Sequence, residues 1–347
     1  MDPNLSNLAR PGQKEAVRQH GTVSVVIPAL NEERFLGRCL ESLTRLEFPQ
    51  DALEVIVVDN GSTDGTLTIA HSFAQLLNLK ILEKKGASIA ALRNLGAAAS
   101  TGDLLAFLDA DCMVPSCWLT AASEVARTPG WGVVGAPYLI PDDSSWVARI
   151  WYRHQHRQMR GEVLFVGACN LIISRRAFAQ TGGFDPTLET NEDYEFCRRV
   201  AANGLSIVAF PPAAVVHLGN PQSLASFFRR ERWHGKHVFR VFLRSLSKLP
   251  NARVVAYALY TLVCVIGAAG GGIEAMLGGS PLLLTCSLTA LLGAPLILSL
   301  RATISSRAWS DVLPLAVLFF TYGIARALCL LDSGTRPPRK TIDEAVN

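Results

Sequence analysis

The chain has 347 residues, 49% of them hydrophobic and 18% charged, with a formal net charge of +4. So much apolar content with so little net charge excludes a disordered chain, and 27 glycines and 18 prolines exclude a collagen-like or linker-rich one. The mean hydropathy of +0.25 is high for a water-soluble globule, and residues 252–331 carry only six charged side chains: Arg253, Glu274, Arg301, Arg307, Asp311 and Arg326.

Met1–Gly21 is polar and lacks the apolar stretch of a secretory signal, so the segment after it is expected to stay in the cytosol. Thr22–Ile27 (TVSVVI) is a β-branched run suited to a strand buried on both faces, with Pro28 expected to end it. Glu32–Leu46 repeats Phe35, Leu36, Cys39, Leu40 and Leu43 at helical spacing. Glu54–Val58 reads as a second strand, Asp59–Ser62 as a turn, Gly65–Leu77 as a helix and Leu79–Leu82 as a third strand. Ser88–Ala99 is an alanine-rich helix and Leu104–Leu108 a fourth strand. This alternation predicts an α/β fold with a doubly wound, mostly parallel sheet. Ligands of such sheets bind beyond the carboxyl ends of the strands, here Ala29–Glu32, Asp59–Asp64 and Asp109–Asp111. Eight cysteines without a Cys-x-x-Cys pair are expected to be reduced thiols.

The first strand end, Pro28-Ala29-Leu30-Asn31-Glu32-Glu33, has no Gly-x-Gly-x-x-Gly loop, and the chain has no P-loop. That excludes a nicotinamide dehydrogenase. Diphosphate at this site needs another source of positive charge, and Asp109-Ala110-Asp111 suits a hard divalent cation. Several positions keep two readings. Asp59 and Asp64 lie in Asp-Asn-Gly-Ser-Thr-Asp-Gly, rich in turn formers. Asp193 by itself reads as the first-turn acid of a helix capped by Thr190. His217, after the strand-like Ala213–Val216, reads as a metal ligand or a surface histidine. Cys112 reads as packing, and Trp118, Trp131, Trp146, Trp151 and Tyr152 as core or acceptor-groove residues.

From Ser223 to Lys248, Leu224, Phe227, Phe228, Val238, Phe239, Val241, Phe242 and Leu246 interleave with basic residues, as in an amphipathic helix on an anionic membrane surface. Val254–Ile273 and Pro281–Leu300 are uncharged runs of 20 residues, each about 30 Å long as a helix and so long enough to span a bilayer. Gly278-Gly279-Ser280 makes them a hairpin. Val312–Leu331 is a third run, containing Pro314 and Arg326, that spans or lies half-inserted. Arg229, Arg230, Arg232, Lys236, Arg240, Arg244, Lys248 and Arg253 precede the first run and place that side in the cytosol. A spanning third run would put Arg336, Arg339 and Lys340 outside, against the same rule. The basic residues are confined to the membrane approach, so no nucleic-acid partner is expected.

Together these pieces resemble the family 2 glycosyltransferases of the GT-A fold. The matching segments are Val25–Glu32, Val57–Asp64, Arg93–Gly96, Asp109–Asp111, Gly182–Asp185 and Asn191–Asp193, within about residues 22–220. The resemblance implies a Rossmann-like, nucleotide-binding first half, with Pro28, Ala29, Asn31 and Glu32 lining the nucleotide pocket. It implies Asp59 on the base, Arg93 near the nucleotide or its phosphates, Asp109 and Ala110 near the ribose, and Asp111 on Mn or Mg, with His217 a further ligand. Asp193 matches the catalytic base, and Gly167, Asn170, Glu192, Arg232 and Trp233 support the acceptor side or the motifs. Arg229–Trp233 resembles the Gln-x-x-Arg-Trp motif of processive synthases, with Arg229 in place of Gln, which favours single-sugar transfer.

The division expected is a polar segment 1–21, a glycosyltransferase domain 22–222, an interface helix 223–252, membrane helices 253–331 and a polar tail 332–347. The function expected is inverting transfer from a nucleoside-diphosphate sugar to a lipid-linked or glycan acceptor, at the inner (cell) membrane, by a multi-pass protein with a cytoplasmic catalytic domain and membrane lipids as partners. The alternatives are a polyprenyl-monophosphate sugar transferase and a catalytically silent sugar-nucleotide-binding membrane protein.

Overall fold

The computed structural model describes residues 21–126, 128–155, 160–188, 190–235, 252–304 and 307–332. The polar N-terminal segment up to residue 20, residues 236–251 of the expected interface helix and the tail from 333 lie outside them. The chain forms two compact units. Among the described residues, the first comprises those from 21 to 141 and 160 to 219; the second comprises those from 142 to 155 and 220 to 332. Residues 142–155 thus group with the second unit.

The first unit opens with β1 (Val23–Ala29), α1 (Leu36–Thr44), β2 (Leu53–Asp59), α2 (Thr66–Ser72), β3 (Leu79–Glu83), α3 (Ile89–Ala99) and β4 (Leu104–Leu108). Then follow β5 (Cys112–Met113), α4 (Trp118–Ala126) and β6 (Trp131–Gly135), and, after the excursion into the second unit, β7 (Gly161–Glu162), β8 (Asn170–Ser174), α6 (Arg175–Thr181), α7 (Glu192–Ala202), β9 (Ser206–Ala209) and β10 (Val216–His217). The label α5 belongs to Trp146–Gln155, in the second unit.

Eight strands form one mixed sheet in the order β3-β2-β1-β4-β8-β6-β9-β7. The first four are mutually parallel, while β8 runs antiparallel to both β4 and β6. Every residue of β1 and β2 is buried. The two-residue period of a strand divides their side chains between two cores. Val23, Val25, Ile27, Val55 and Val57 pack with Leu36, Cys39, Leu40 and Leu43 of α1. Val26, Ile56 and Val58 pack with Ala90, Leu92 and Ala97 of α3.

The order places the topological switch between β1 and β4, where such sheets open a crevice at their carboxyl ends. Pro28 continues β1 rather than ending it, pairing in register with Val58. The Ala29 carbonyl accepts from Asn60 N on the β2 side, so the ring nitrogen of Pro28, one residue earlier, faces β4. The β1–β4 ladder stops at Val26–Phe107. The missing N–H thus falls where no partner is needed, and the sheet opens there.

Helix α1 starts at Leu36, not Glu32, because Glu32–Phe35 forms a turn in which Phe35 N and Leu36 N both donate to the Glu32 carbonyl. Helix α2 ends at Ser72, short of the expected Leu77. Ser88 caps α3, its Oγ accepting from Ala91 N at 3.2 Å. A separate antiparallel pair joins β5 to β10, setting Cys112 opposite His217. All eight cysteines are free thiols.

The second unit contains α5, α8 (Leu224–Gly235), α9 (Ala252–Met276), α10 (Leu282–Ile304) and α11 (Val312–Asp332). The last three are long and apolar enough to cross a membrane. Helices α9 and α10 pack closely through small residues: a Cβ on Gly271 would lie 2.4 Å from Leu284 N, and one on Gly267 2.5 Å from Ser287 Oγ.

Gly96 sets how closely α3 approaches the sheet. A Cβ there would lie 2.3 Å from Val26 Cγ1 and 3.1 Å from Val58 Cγ2. Ala is worth about 1 kcal/mol over Gly in a helix, but overpacking costs about 1–3 kcal/mol, and here the obstacle is a fully buried strand. Gly96→Ala is expected to lower the thermal unfolding midpoint of the detergent-solubilised protein; an unchanged or higher midpoint contradicts this packing.

Candidate active site

Two strand-end loops are tied together by side chains. Asn31 adopts a left-handed backbone, φ 54°. Its N–H donates to Ser62 Oγ at 2.9 Å, and its Oδ1 accepts from Thr63 N at 2.9 Å. Asp64 accepts from Thr66 N at 3.0 Å and Glu33 N at 3.2 Å, while Glu33 accepts from Gly65 N at 2.6 Å. Asp59 is fully buried and accepts from Gly61 N at 2.7 Å, Ser62 N at 2.8 Å and Ser62 Oγ. Both oxygens of Asp59 thus accept hydrogen bonds within its own loop, as a carboxylate this enclosed requires. The side chains of Ala29 and Ala110 turn into the core, so these positions offer a ligand only backbone.

Across the crevice, Asp109-Ala110-Asp111 follows β4. Arg93, from α3, is 2% exposed and joins two carboxylates: Nη2 lies 2.7 Å from Asp109 Oδ1 and Nη1 2.6 Å from Glu192 Oε1. Its guanidinium also lies over the Phe184 ring, 5.7 Å from the centroid. Burial works against its charge, but Asp109 and Glu192 more than compensate and hold it firmly protonated. Arg93 lies behind Asp109 with both terminal nitrogens engaged.

The motifs around it form one contact. Asn94 Nδ2 donates to the Phe184 carbonyl at 2.8 Å, and Asn94 Oδ1 accepts from Phe184 N at 2.9 Å. Gly183, at φ 70°, approaches so closely that a Cβ would lie 2.8 Å from Asn94 Oδ1.

Asp111 meets His217 across the β5–β10 pair, Oδ2 to Nε2 at 3.5 Å. Ligand atoms of Asp111, Cys112 and His217 lie within 4.8 Å of one another. Burial and then the neighbouring Asp109 raise the Asp111 pKa, against the pull of His217. Glu32 is pushed up to about 8 by burial, then by Asp111, Asp109 and Asp64. A hydrogen bond with Cys169 and burial keep the Cys112 thiol protonated. One carboxylate and one imidazole, amid crowded negative charge, fit a Mn or Mg ion; the protonated thiol does not suit a hard cation.

Sequence reading missed Gly219. Its Cβ would lie 2.0 Å from Asp111 Oδ2, and the preceding Leu218 N donates to the Asp111 carbonyl at 2.8 Å. The available signal was a glycine two residues after His217.

Asp193 lies in the first turn of α7. The cap residue is Asn191, φ 63°, with no side-chain cap bond, so the Thr190 capping-box alternative does not hold. Asp193 Oδ1 accepts from Tyr194 N at 2.7 Å and Oδ2 from Ala168 N at 3.4 Å. Burial, then the neighbouring Glu192, push its pKa up to about 6. Gly167 borders it, since a Cβ there would lie 3.8 Å from Asp193 Oδ2. Asn170 is fully buried; it accepts from Trp118 Nε1 at 2.9 Å and donates to the Ala213 carbonyl at 2.8 Å. Arg232 and Trp233 lie on α8 in the second unit, where the Arg232 carbonyl accepts from Cys329 Sγ at 3.1 Å.

Comparison with known proteins shows the family and the fold. Residues 24–182 match the model of Glycosyl transferase family 2, and residues 104–328 that of Glycosyl transferase family group 2. Glycosyltransferase AglE of Haloferax volcanii is 30% identical over 250 residues, covering 70% of this chain and 80% of the relative. The probable glycosyltransferase YdaM of Bacillus subtilis is 27% identical over 269 residues, 72% of this chain and 64% of the relative, so the chain spans less than two thirds of that protein. The fold is similar to that of the mannosyltransferase PcManGT from Pyrobaculum calidifontis in complex with GDP-Man and Mn2+, with a TM-score of 0.60 at 21% identity, over 92% of this chain and 94% of that one.

The Gly219 contact makes a test that spares the ligands. Gly219→Ala is expected to push Asp111 aside and weaken Mn2+ binding by about tenfold or more, as loss of a ligand's supporting shell does. Calorimetric titration reads the affinity and circular dichroism checks the fold; unchanged affinity would refute the role given to this close approach.

Proposed function

Because the chain belongs to glycosyl transferase family 2, we propose that it is a membrane-anchored, inverting transferase that moves a sugar from a nucleoside diphosphate to a lipid-linked or glycan acceptor. One observation carries the reading. The Arg93 fork ties the Asp109–Asp111 loop to the start of α7, where Asp193 follows Glu192. A cation site and a base of raised pKa then belong to one crevice at the topological switch.

In this reading Asp193 Oδ2 takes the proton of the acceptor hydroxyl as that oxygen attacks the anomeric carbon. The new carbon–oxygen bond forms opposite the bond to the diphosphate, which breaks, so the configuration inverts. Asp111 and His217 would hold Mn or Mg, which when bound supplies charge neutralisation for the leaving diphosphate. Glu32 and Asn31 border the nucleotide, and Asp109, fixed by Arg93, faces its ribose. The GDP-Man and Mn2+ of the Pyrobaculum structure support this donor class. The three apolar helices support an acceptor held at a membrane, with the catalytic unit on the cytosolic side, as the basic residues before α9 favour. Incubation with a panel of sugar nucleotides and labelled polyprenyl-phosphate and polyprenyl-diphosphate-sugar acceptors tests the proposal. Neither transfer nor nucleotide release, with Mn2+ or Mg2+ present, would sink it.

Asp193→Asn is expected to abolish transfer while keeping nucleotide binding. In the native protein kcat/KM should fall about tenfold per pH unit below about 6, where Asp193 becomes protonated. The stability sign is opposite. A raised folded-state pKa favours the folded state at low pH, and that contribution is lost as pH rises through about 6. Asp193→Asn should therefore raise the melting temperature relative to the native protein more at pH 8 than at pH 5. Full activity in the variant would overturn the assignment. Removal of divalent ions by a chelator is expected to stop transfer, with recovery on adding Mn2+ or Mg2+; activity unaffected by chelation would remove the cation from the reading.

A further inference from the structure

Helices α9 and α10 pair along an antiparallel hairpin. Gly271 meets Leu284, Gly267 meets Ser287, and Tyr260 Oη donates to the Ala290 carbonyl at 2.7 Å. Its open end, at Ala252 and Ile304, therefore lies opposite the turn at Gly278. Helix α11 has 21 residues, about 30 Å at 1.5 Å per residue, the thickness of the hydrocarbon layer. If it were a third span leaving the open end, it would finish beside that turn.

It finishes elsewhere. At its start the Val312 carbonyl accepts from Ser299 Oγ at 2.5 Å, near the end of α10. At its other end Cys329 and Leu330 line a small cavity with Val254, Val255 and Ala258, from the first two turns of α9, and with Gly235. In between, the Phe319 carbonyl accepts from Tyr257 Oη at 3.1 Å, and a Cβ on Gly323 would lie 2.8 Å from Thr261 Oγ1. Both ends of α11 are thus at the open end of the hairpin, and the helix crosses its base.

What covers α11 agrees. Val147, Ile150 and Trp151 of α5 and Phe227 of α8 bury Leu315 and Leu318. Arg153 Nη2 lies 2.8 Å from Asp311 Oδ1, and Arg326 Nη2 lies 2.8 Å from Glu231 Oε2, with side chains 10% and 5% exposed in the second pair. The covering helices carry exposed Arg149, Arg153, Arg229 and Arg232, charges that cost several kcal/mol each at bilayer depth. Trp146, Trp233 and Trp309 are 42%, 43% and 60% exposed, on α5, on α8 and in the turn before α11. Exposed tryptophan beside arginine is the composition of the headgroup layer.

We infer that α11 does not cross the bilayer but lies in the interface of the leaflet at the hairpin's open end, forming with α5 and α8 one platform against anionic lipid headgroups. This rests on the reading that α9 and α10 span. The chain then leaves α11 on the side from which it entered α9, which removes the conflict between a third span and the positive residues at 336, 339 and 340.

The test uses the full-length protein with one protease site and epitope inserted between Gly278 and Gly279 and a second after Asn347, expressed in a bacterial host. Protease added to intact spheroplasts is expected to cut the first site and spare the second, with both cut after lysis. Cutting of the second site in intact spheroplasts overturns the proposal. Protection of the first overturns instead the spanning hairpin on which it rests.

Discussion

A guanidinium 2% exposed to solvent has to be paired, because an unpaired charge at that depth costs several kcal/mol. Arg93 meets this requirement with one carboxylate from the loop after β4 and one from the start of α7. Those two elements come from opposite halves of a mixed sheet, and the shared cation fixes them against each other. Asp111 follows one partner by two residues and Asp193 follows the other by one, so the position of both depends on Arg93. The neighbouring Asn94 clamps the Phe184 backbone, and Gly96 sets the depth of α3. Arg93-Asn94-Leu95-Gly96 is thus a packing motif that sets where these carboxylates stand.

The electrostatics follow. One buried cation serves Asp109 and Glu192, while Glu32 and Asp111 remain in the same crevice with raised proton affinity. A crevice with surplus negative charge is a poor place for a diphosphate and a good one for a divalent ion. Asp193 is raised by the same two causes, burial and an adjacent carboxylate, which suits the role of base proposed for it.

The second unit follows a different rule. In α9 and α10, both long and apolar enough to cross a membrane, glycine and serine give close backbone contact. Helix α11 is as apolar as its neighbours, yet its contacts with α5 and α8 are aromatic packing and a buried ion pair, the contacts of a water-facing globule.

Much was legible in the sequence. Strand–helix alternation gave the parallel half of the sheet because burial on both faces demands unbroken apolar runs, and the order of short acidic and glycine motifs pointed to the family. Helix starts were less legible: Glu32 had the spacing of α1, but Asn31 and Glu33 are held by the loop from Asp59 to Thr66. The burial of Arg93 and Asn170 was not legible, because it depends on partners 99 and 52 residues away in the chain. Gly219 gave no periodic signal, since its role is to leave room for Asp111. Local composition determined which segments are strands, which are apolar helices and which carboxylates stand at strand ends. Only tertiary structure decided which of those carboxylates are spent on the fold, which remain for chemistry, and which apolar helix lies across the hairpin, because each of those outcomes depends on what long-range packing places opposite the residue.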